Sequence, residues 1–347
     1  MQSLKELYRI GRGPSSSHTM GPEIASILIK NENPNATKFN VTLYGSLALT
    51  GRGHFTNEII SETLSKNKTT INLDLKEKPK HPNTFKVEVF TNDALTNTYI
   101  VESIGGGEVT INGVKLKSAK EVYPFKNFKE IRDYAKLNNI SLEEVVYRFD
   151  DKDIKDYLLK CYNVMVDTIE AGLKKDGYLP GSLNVKRKAK SIYLANDASI
   201  DNRIKFISAF AYATSEENAS MGLIVTAPTC GASGVLPSTL YYLEKVRGYT
   251  KEKIVDALAV AGLIGNTIKQ NASISGAFGG CQAEIGPACS MASAAICFLE
   301  GDTPEKIDSA AEIAMEHHLG LTCDPIDGLV QIPCIERNAV ASLRAFD

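Results

Sequence analysis

No stretch of this sequence approaches the roughly 18 consecutive apolar residues of a membrane span. Residues 1–10 carry charge where a secretory signal peptide would be apolar. The cytoplasm is therefore the expected compartment, with no membrane partner. Charge of one sign is missing as well: 39 Lys and Arg against 41 Asp and Glu leave a formal charge of −2 over 347 residues. No whole-chain field draws the molecule to nucleic acid, and a small-molecule ligand is expected instead. The chain has no Cys-x-x-Cys pair, the short chelating spacing of structural zinc sites, so structural zinc is disfavoured. A disulfide framework is disfavoured too, because the seven cysteines are an odd number in a chain too large to need stapling.

What is present divides the chain in two, as its length predicts. Residues 38–49 open as a β-rich run, and residues 70–76, 84–91 and 96–103 alternate β-branched with polar residues, as strands do. Residues 56–65 have helical apolar spacing, and the glycines at 105–107 with Asn112-Gly113 punctuate a hairpin around residues 108–111. From about residue 125 the apolar period changes to three and four, and Ser141 with Glu144 forms a candidate capping box. Beyond about residue 204, segments such as IVDALAVAGLIGNTI and ACSMASAAICFLE are apolar nearly all round, which predicts helices inside a core. The expected fold is α+β: a small α+β domain over residues 1–124, then an all-helical domain over 125–347.

Four segments combine reactive side chains with helix breakers. GRGPSSSHTMGP (residues 11–22) reads either as an anion-binding loop feeding a helix from Glu23 or as an ordinary Ser-rich turn; it lacks the lysine and spacing of a phosphate-binding loop. YGSLALTGRGH (44–54) delivers His54 after a Gly-x-Gly turn, where backbone can approach a ligand. His81, in the charged stretch KEKPKHPN, reads as solvated surface. TAPTCGASGVLP (226–237) is a hydroxyl- and Gly-rich loop before a helix, suited to a carboxylate; a nucleophilic Cys230 is the competing reading. The fourth group is Cys281, Cys323 and Cys334, each in a Gly- or Pro-containing turn. Such cysteines suit iron–sulfur ligation, against the alternative of buried apolar thiols, which fits Cys161, Cys289 and Cys297.

Taken together, GPSSSHTMGP, YGSLALTGRGH, VTAPTCGASGVLP, KQNASISGAFGGCQAEIGPACSMA and EHHLGLTCDPIDGLVQIPCIERN resemble the iron–sulfur-dependent bacterial L-serine dehydratases in their single-chain form. The resemblance spans the chain, with a β-type region before an α-type region. It implies a [4Fe–4S] cluster on Cys281, Cys323 and Cys334 with one iron open to L-serine, and a homodimer is expected. That family continues several tens of residues past its IERN motif, whereas this sequence stops at Asp347; in some members the tail reaches back toward the cluster.

Dehydrating serine means removing a Cα proton and expelling hydroxide. An open iron can act as Lewis acid on the hydroxyl, and a histidine is the efficient base. His54 is the first choice of base, His18 the second, with His317 and His318 behind. Ser16, Ser17, Thr226, Asn271, Ser273 and Ser275 are candidate contacts for the substrate carboxylate and amine. Three alternatives stay open: the same elimination on L-cysteine or L-threonine, a pyridoxal phosphate enzyme using Lys269, and a non-catalytic serine sensor.

Overall fold

The computed structural model describes residues 1–115, 121–196, 201–274 and 276–347. After a short strand β1 (Ile10–Arg12), six strands build one sheet: β2 (Lys38–Tyr44), β3 (Thr69–Asp74), β4 (Thr84–Thr91), β5 (Ala94–Gly105), β6 (Glu108–Ile111) and β7 (Val114–Lys115). Their order is β3-β2-β4-β5-β6-β7, with β2 and β3 parallel and the other pairs antiparallel. Parallel neighbours need a crossover, and the helices Gly45–Thr50 and Thr56–Leu64 supply it. Alternation sets the faces. Phe39, Val41 and Leu43 of β2 and Phe85, Val87 and Val89 of β4 pack under Ala25, Ile29, Ile59, Ile60 and Leu64 from two helices. Each of the larger side chains contributes roughly 1.5–3 kcal/mol by leaving water.

The strand expected to run on through the second motif stops at Tyr44, and residues 45–50 are helical. Gly45 makes the turn with φ of 50°, and a Cβ there would come 2.5 Å from the Pro82 carbonyl oxygen.

The remaining helices pack as their periodicity predicts. Leu142–Phe149 starts with the Ser141/Glu144 capping box. Lys251–Asn271 and Ile285–Leu299 lie buried in the main core with Val235–Lys245. The first residues join this helical core rather than the sheet: Leu4, Leu7 and Tyr8 are buried in it, and Tyr8 donates to the Leu258 carbonyl at 2.9 Å. Gly262 and Gly265 make room, since a Cβ would come 2.6 Å from Leu4 and 2.8 Å from Leu7 respectively. Strand β1 then pairs antiparallel with β8 (Leu223–Val225), Ile10 opposite Val225. The chain thus leaves the helical core at residue 12 and enters the sheet through the Ser-rich segment, which lies at the junction. Among the described residues, no helix is long and apolar enough to cross a membrane.

Candidate active site

The Ser-rich segment folds into one π-helical turn, Ser16–Met20, that runs into the helix Gly21–Glu32. Ser15 caps it by accepting from the His18 amide. His18 is buried, with Nδ1 2.9 Å from the Ser17 hydroxyl and Nε2 2.9 Å from the Ser46 hydroxyl. Its ring lies 4.5 Å, centroid to centroid, from that of His54. Two threonines lock the pair: Thr19 donates to the His54 carbonyl at 2.7 Å, and Thr56 donates to the His18 carbonyl at 2.6 Å.

Burial pushes His18 down to about 3, with His54 adding repulsion. Burial lowers His54 as well, opposed by its bond to the Thr50 carbonyl. That bond, 3.0 Å from Nδ1, assigns the tautomer, because a carbonyl can only accept. Nδ1 of His54 carries the proton, and Nε2 keeps a lone pair. His18 has hydroxyls on both nitrogens, so its tautomer is open.

Cys281 begins a short 3-10 turn, Cys334 begins the helix Cys334–Arg344, and Cys323 lies in the loop between. Gly280 is required ahead of the first: it has φ of 73°, and a Cβ would come 2.9 Å from the Leu321 carbonyl oxygen. Gln282 ties the two loops together, its amide donating to Leu321 O at 3.0 Å and its side chain accepting from the Gly320 amide at 2.9 Å. Asn338 ties the third cysteine's helix to the 226–237 loop, accepting from the Gly234 amide and donating to the carbonyls of Gly231 and Cys334. The thiols converge. Cys323 and then Cys334 hold Cys281 low by donating to its thiolate, and that negative charge in turn holds Cys323 and Cys334 high. Arg337 also favours the Cys281 thiolate.

Both walls enclose one cavity of about 630 Å³. Gly53 meets Gly328 where the histidine loop touches the cysteine loop; a Cβ on Gly53 would come 2.8 Å from the Gly328 carbonyl oxygen. His18, His54, Ser16, Ser17, Ser273, Cys281, Cys323 and Cys334 all line it. Ser275 lies outside the described residues. Thr226 is not on the wall: its hydroxyl donates to Leu7 O at 2.6 Å and accepts from the Arg9 amide at 2.8 Å, holding β1 to β8. Asn271 is exposed and bonds the carbonyls of Lys126 and Thr267. Neither His317 nor His318 reaches the cavity; each turns Nδ1 back to its own helix.

His81, read as solvated surface, is half-buried in the cavity wall. The Pro82 carbonyl accepts from the Ser46 amide at 2.7 Å, which draws the start of β4 against the histidine turn. Cys230 is buried and pushed up to about 12 by that burial, so it is no nucleophile. Lys269 stands off the cavity, its ammonium bonded to Gln2 Oε1 at 3.0 Å and Glu6 O at 3.3 Å, where no Schiff base could serve this site.

Sequence reasoning missed Ser46, Thr229 and Glu284. Burial pushes Glu284 up to about 7; the Thr229 hydroxyl beside it opposes this and Cys281 adds to it. A signal for Glu284 existed, since it is the sole charged residue between Lys269 and Glu300.

Among the described residues, no three His, Cys, Asp or Glu side chains are grouped as a single metal ion needs. A cluster asks for something else, one thiolate on each of several irons. The three converging thiols on an open cavity wall, one of them favoured as thiolate, fit that donor set.

Known proteins match the chain over nearly its whole length. The serine dehydratase alpha chain family matches residues 20–347. The L-serine dehydratase of Haemophilus influenzae is 36% identical over 408 aligned positions, covering 100% of this chain and 89% of that protein. L-serine dehydratase 1 of Escherichia coli is 36% identical, with coverages of 100% and 89%. The Streptomyces coelicolor L-serine dehydratase is 35% identical, with coverages of 99% and 88%. These alignments run longer than the 347 residues of the chain, so the relatives carry residues within the matched span that it lacks. By the match over residues 20–347 and by these full-length identities, the chain belongs to the serine dehydratase alpha chain family.

Proposed function

We propose that this chain is a lyase that converts L-serine to pyruvate and ammonia. The observation that carries the reading is the single cavity in which the His18–His54 pair and three cysteines are opposite walls. Cys281, Cys323 and Cys334 are the residues that would hold a [4Fe–4S] cluster. When bound, it supplies a Lewis-acidic iron for the departing hydroxyl.

The chain's own residues do the rest. His54 keeps Nε2 unprotonated near neutral pH and takes the Cα proton there, with its ring aimed by the Thr50 carbonyl. His18, held neutral beside it, adds no charge that would oppose protonation of His54. The hydroxyls of Ser16 and Ser17 and the backbone of the π-turn receive the substrate carboxylate. The first product is an enamine, which tautomerises and is hydrolysed in water to pyruvate and ammonia.

The same proposal carries a homodimer, a cytoplasmic setting and a division of the chain near residue 125, with the first residues belonging to the helical part, where Leu4, Leu7 and Tyr8 are buried. The test is anaerobic reconstitution, iron and sulfide analysis, then pyruvate release from L-serine beside L-threonine and L-cysteine. Iron uptake with turnover of L-serine above both others is expected. A reconstituted protein that binds L-serine without releasing ammonia would be the sensor instead.

A further inference from the structure

Among the described residues, Glu284 is the sole Asp, Glu, Lys or Arg lining the cavity. Its neighbours on the wall include glycines, cysteines, hydroxyls and histidines. The carboxylate occupies a slot between two glycines: a Cβ on Gly231 would come 3.1 Å from Oε1, and one on Gly276 would come 2.3 Å from Oε2. Any side chain at 276 would sit where the carboxylate is. The Glu284 amide bonds to the Cys281 carbonyl at 3.1 Å, which fixes the residue in the turn that presents the first cysteine. Among the described residues, no Lys or Arg lines the cavity to pair with it. A carboxylate withdrawn from water without a cation is destabilising, and such a group is kept where something cationic arrives.

An α-amino acid brings one ammonium, one carboxylate and little else. The hydroxyl-rich turn of Ser15, Ser16 and Ser17 suits its carboxylate, and among the described residues that wall offers no carboxylate for its ammonium. We propose that Glu284 binds the α-ammonium of the substrate, so that the cavity selects amino acids over the corresponding deamino acids. This rests on the serine dehydratase reading above. With the ammonium on one wall and the carboxylate on the other, Cα is suspended between them.

The experiment uses the reconstituted holoenzyme with L-serine as substrate and 3-hydroxypropanoate, which is serine without its amino group, as inhibitor. A charged hydrogen bond lost is worth about 10- to 100-fold in affinity. Glu284→Gln should raise KM for L-serine by that factor, leave the inhibition constant of 3-hydroxypropanoate within about twofold, and retain the iron and visible spectrum of the unmodified protein. Glu284→Asp, which keeps the charge, should recover part of the loss. An unchanged KM with a collapsed kcat would make Glu284 a proton donor and overturn the proposal. So would a parallel rise in the inhibition constant. If Glu284→Gln does not hold iron, the unmodified holoenzyme decides: 3-hydroxypropanoate at least about 10-fold weaker than L-serine supports the proposal, and equal affinity sinks it. Should the holoenzyme not turn over L-serine at all, the functional reading fails separately, and calorimetric binding of the same two ligands still tests Glu284.

Discussion

The imidazole rings of His18 and His54 lie with centroids 4.5 Å apart and planes inclined by 32°. Each ring's segment also holds the other's backbone, through Thr19 to the His54 carbonyl and Thr56 to the His18 carbonyl. Neither ring can be moved alone, and two rings this close and this buried resist protonation together.

His54→Ala should keep the iron–sulfur absorption and lose at least about 10²-fold in kcat, the lower end of what a general base supplies. Because burial lowers His54 from the usual 6.5, its active neutral form persists below neutrality. The acid limb of kcat/KM should therefore fall below pH 6.5. An acid limb at or above that value removes His54 as the base.

His18 links stability to pH with a definite sign. The unfolded imidazole takes up a proton near 6.5, whereas the folded one refuses it until about 3. Stability is then fully present above 6.5 and is lost progressively as pH falls from 6.5 toward 3. By pH 5 the loss from this residue is roughly 2 kcal/mol. Urea denaturation at the two pH values checks it, and His18→Gln should flatten the difference.

Replacing Cys281, Cys323 or Cys334 by Ser should each lower iron content after reconstitution. Cys289→Ala and Cys297→Ala should not, since neither lines the cavity. A full complement of iron after loss of any one of the three removes that residue from the ligand set.

Asn338→Ala deletes bonds to Gly231, Gly234 and Cys334 at a buried position. Removing partners there costs about 2–3 kcal/mol. The expected result is a thermal midpoint lower by several degrees and weaker iron retention, read by thermal melts and metal analysis. Asn338→Asp, which keeps the acceptor for the Gly234 amide, should fall between.

Much of this architecture is visible in short range. The strands at residues 84–91, the capping box at Ser141 and the apolar helices 251–271 and 285–299 follow from alternation, capping chemistry and all-round apolarity. Each depends on neighbours a few residues away. The strand predicted past Tyr44 failed because the turn at Gly45 is dictated by Pro82, far along the chain.

The same division holds at the site. Which side chains carry chemistry, the histidines, the serine run and the cysteines in Gly- and Pro-rich turns, is written locally, because reactive types and helix breakers are recognisable wherever they occur. Which of them meet is not. Thr226 sits in as good a motif as any, yet its hydroxyl holds Leu7 and Arg9 because β1 returns to pair with β8. His81 reads as surface until Pro82 binds Ser46. Glu284 becomes the carboxylate of the cavity only when Gly231 and Gly276 close around it. Those outcomes depend mostly on contacts between residues distant in the chain, such as Leu7 with Thr226 and Gly231 with Glu284, which periodicity does not encode and only the packed chain decides.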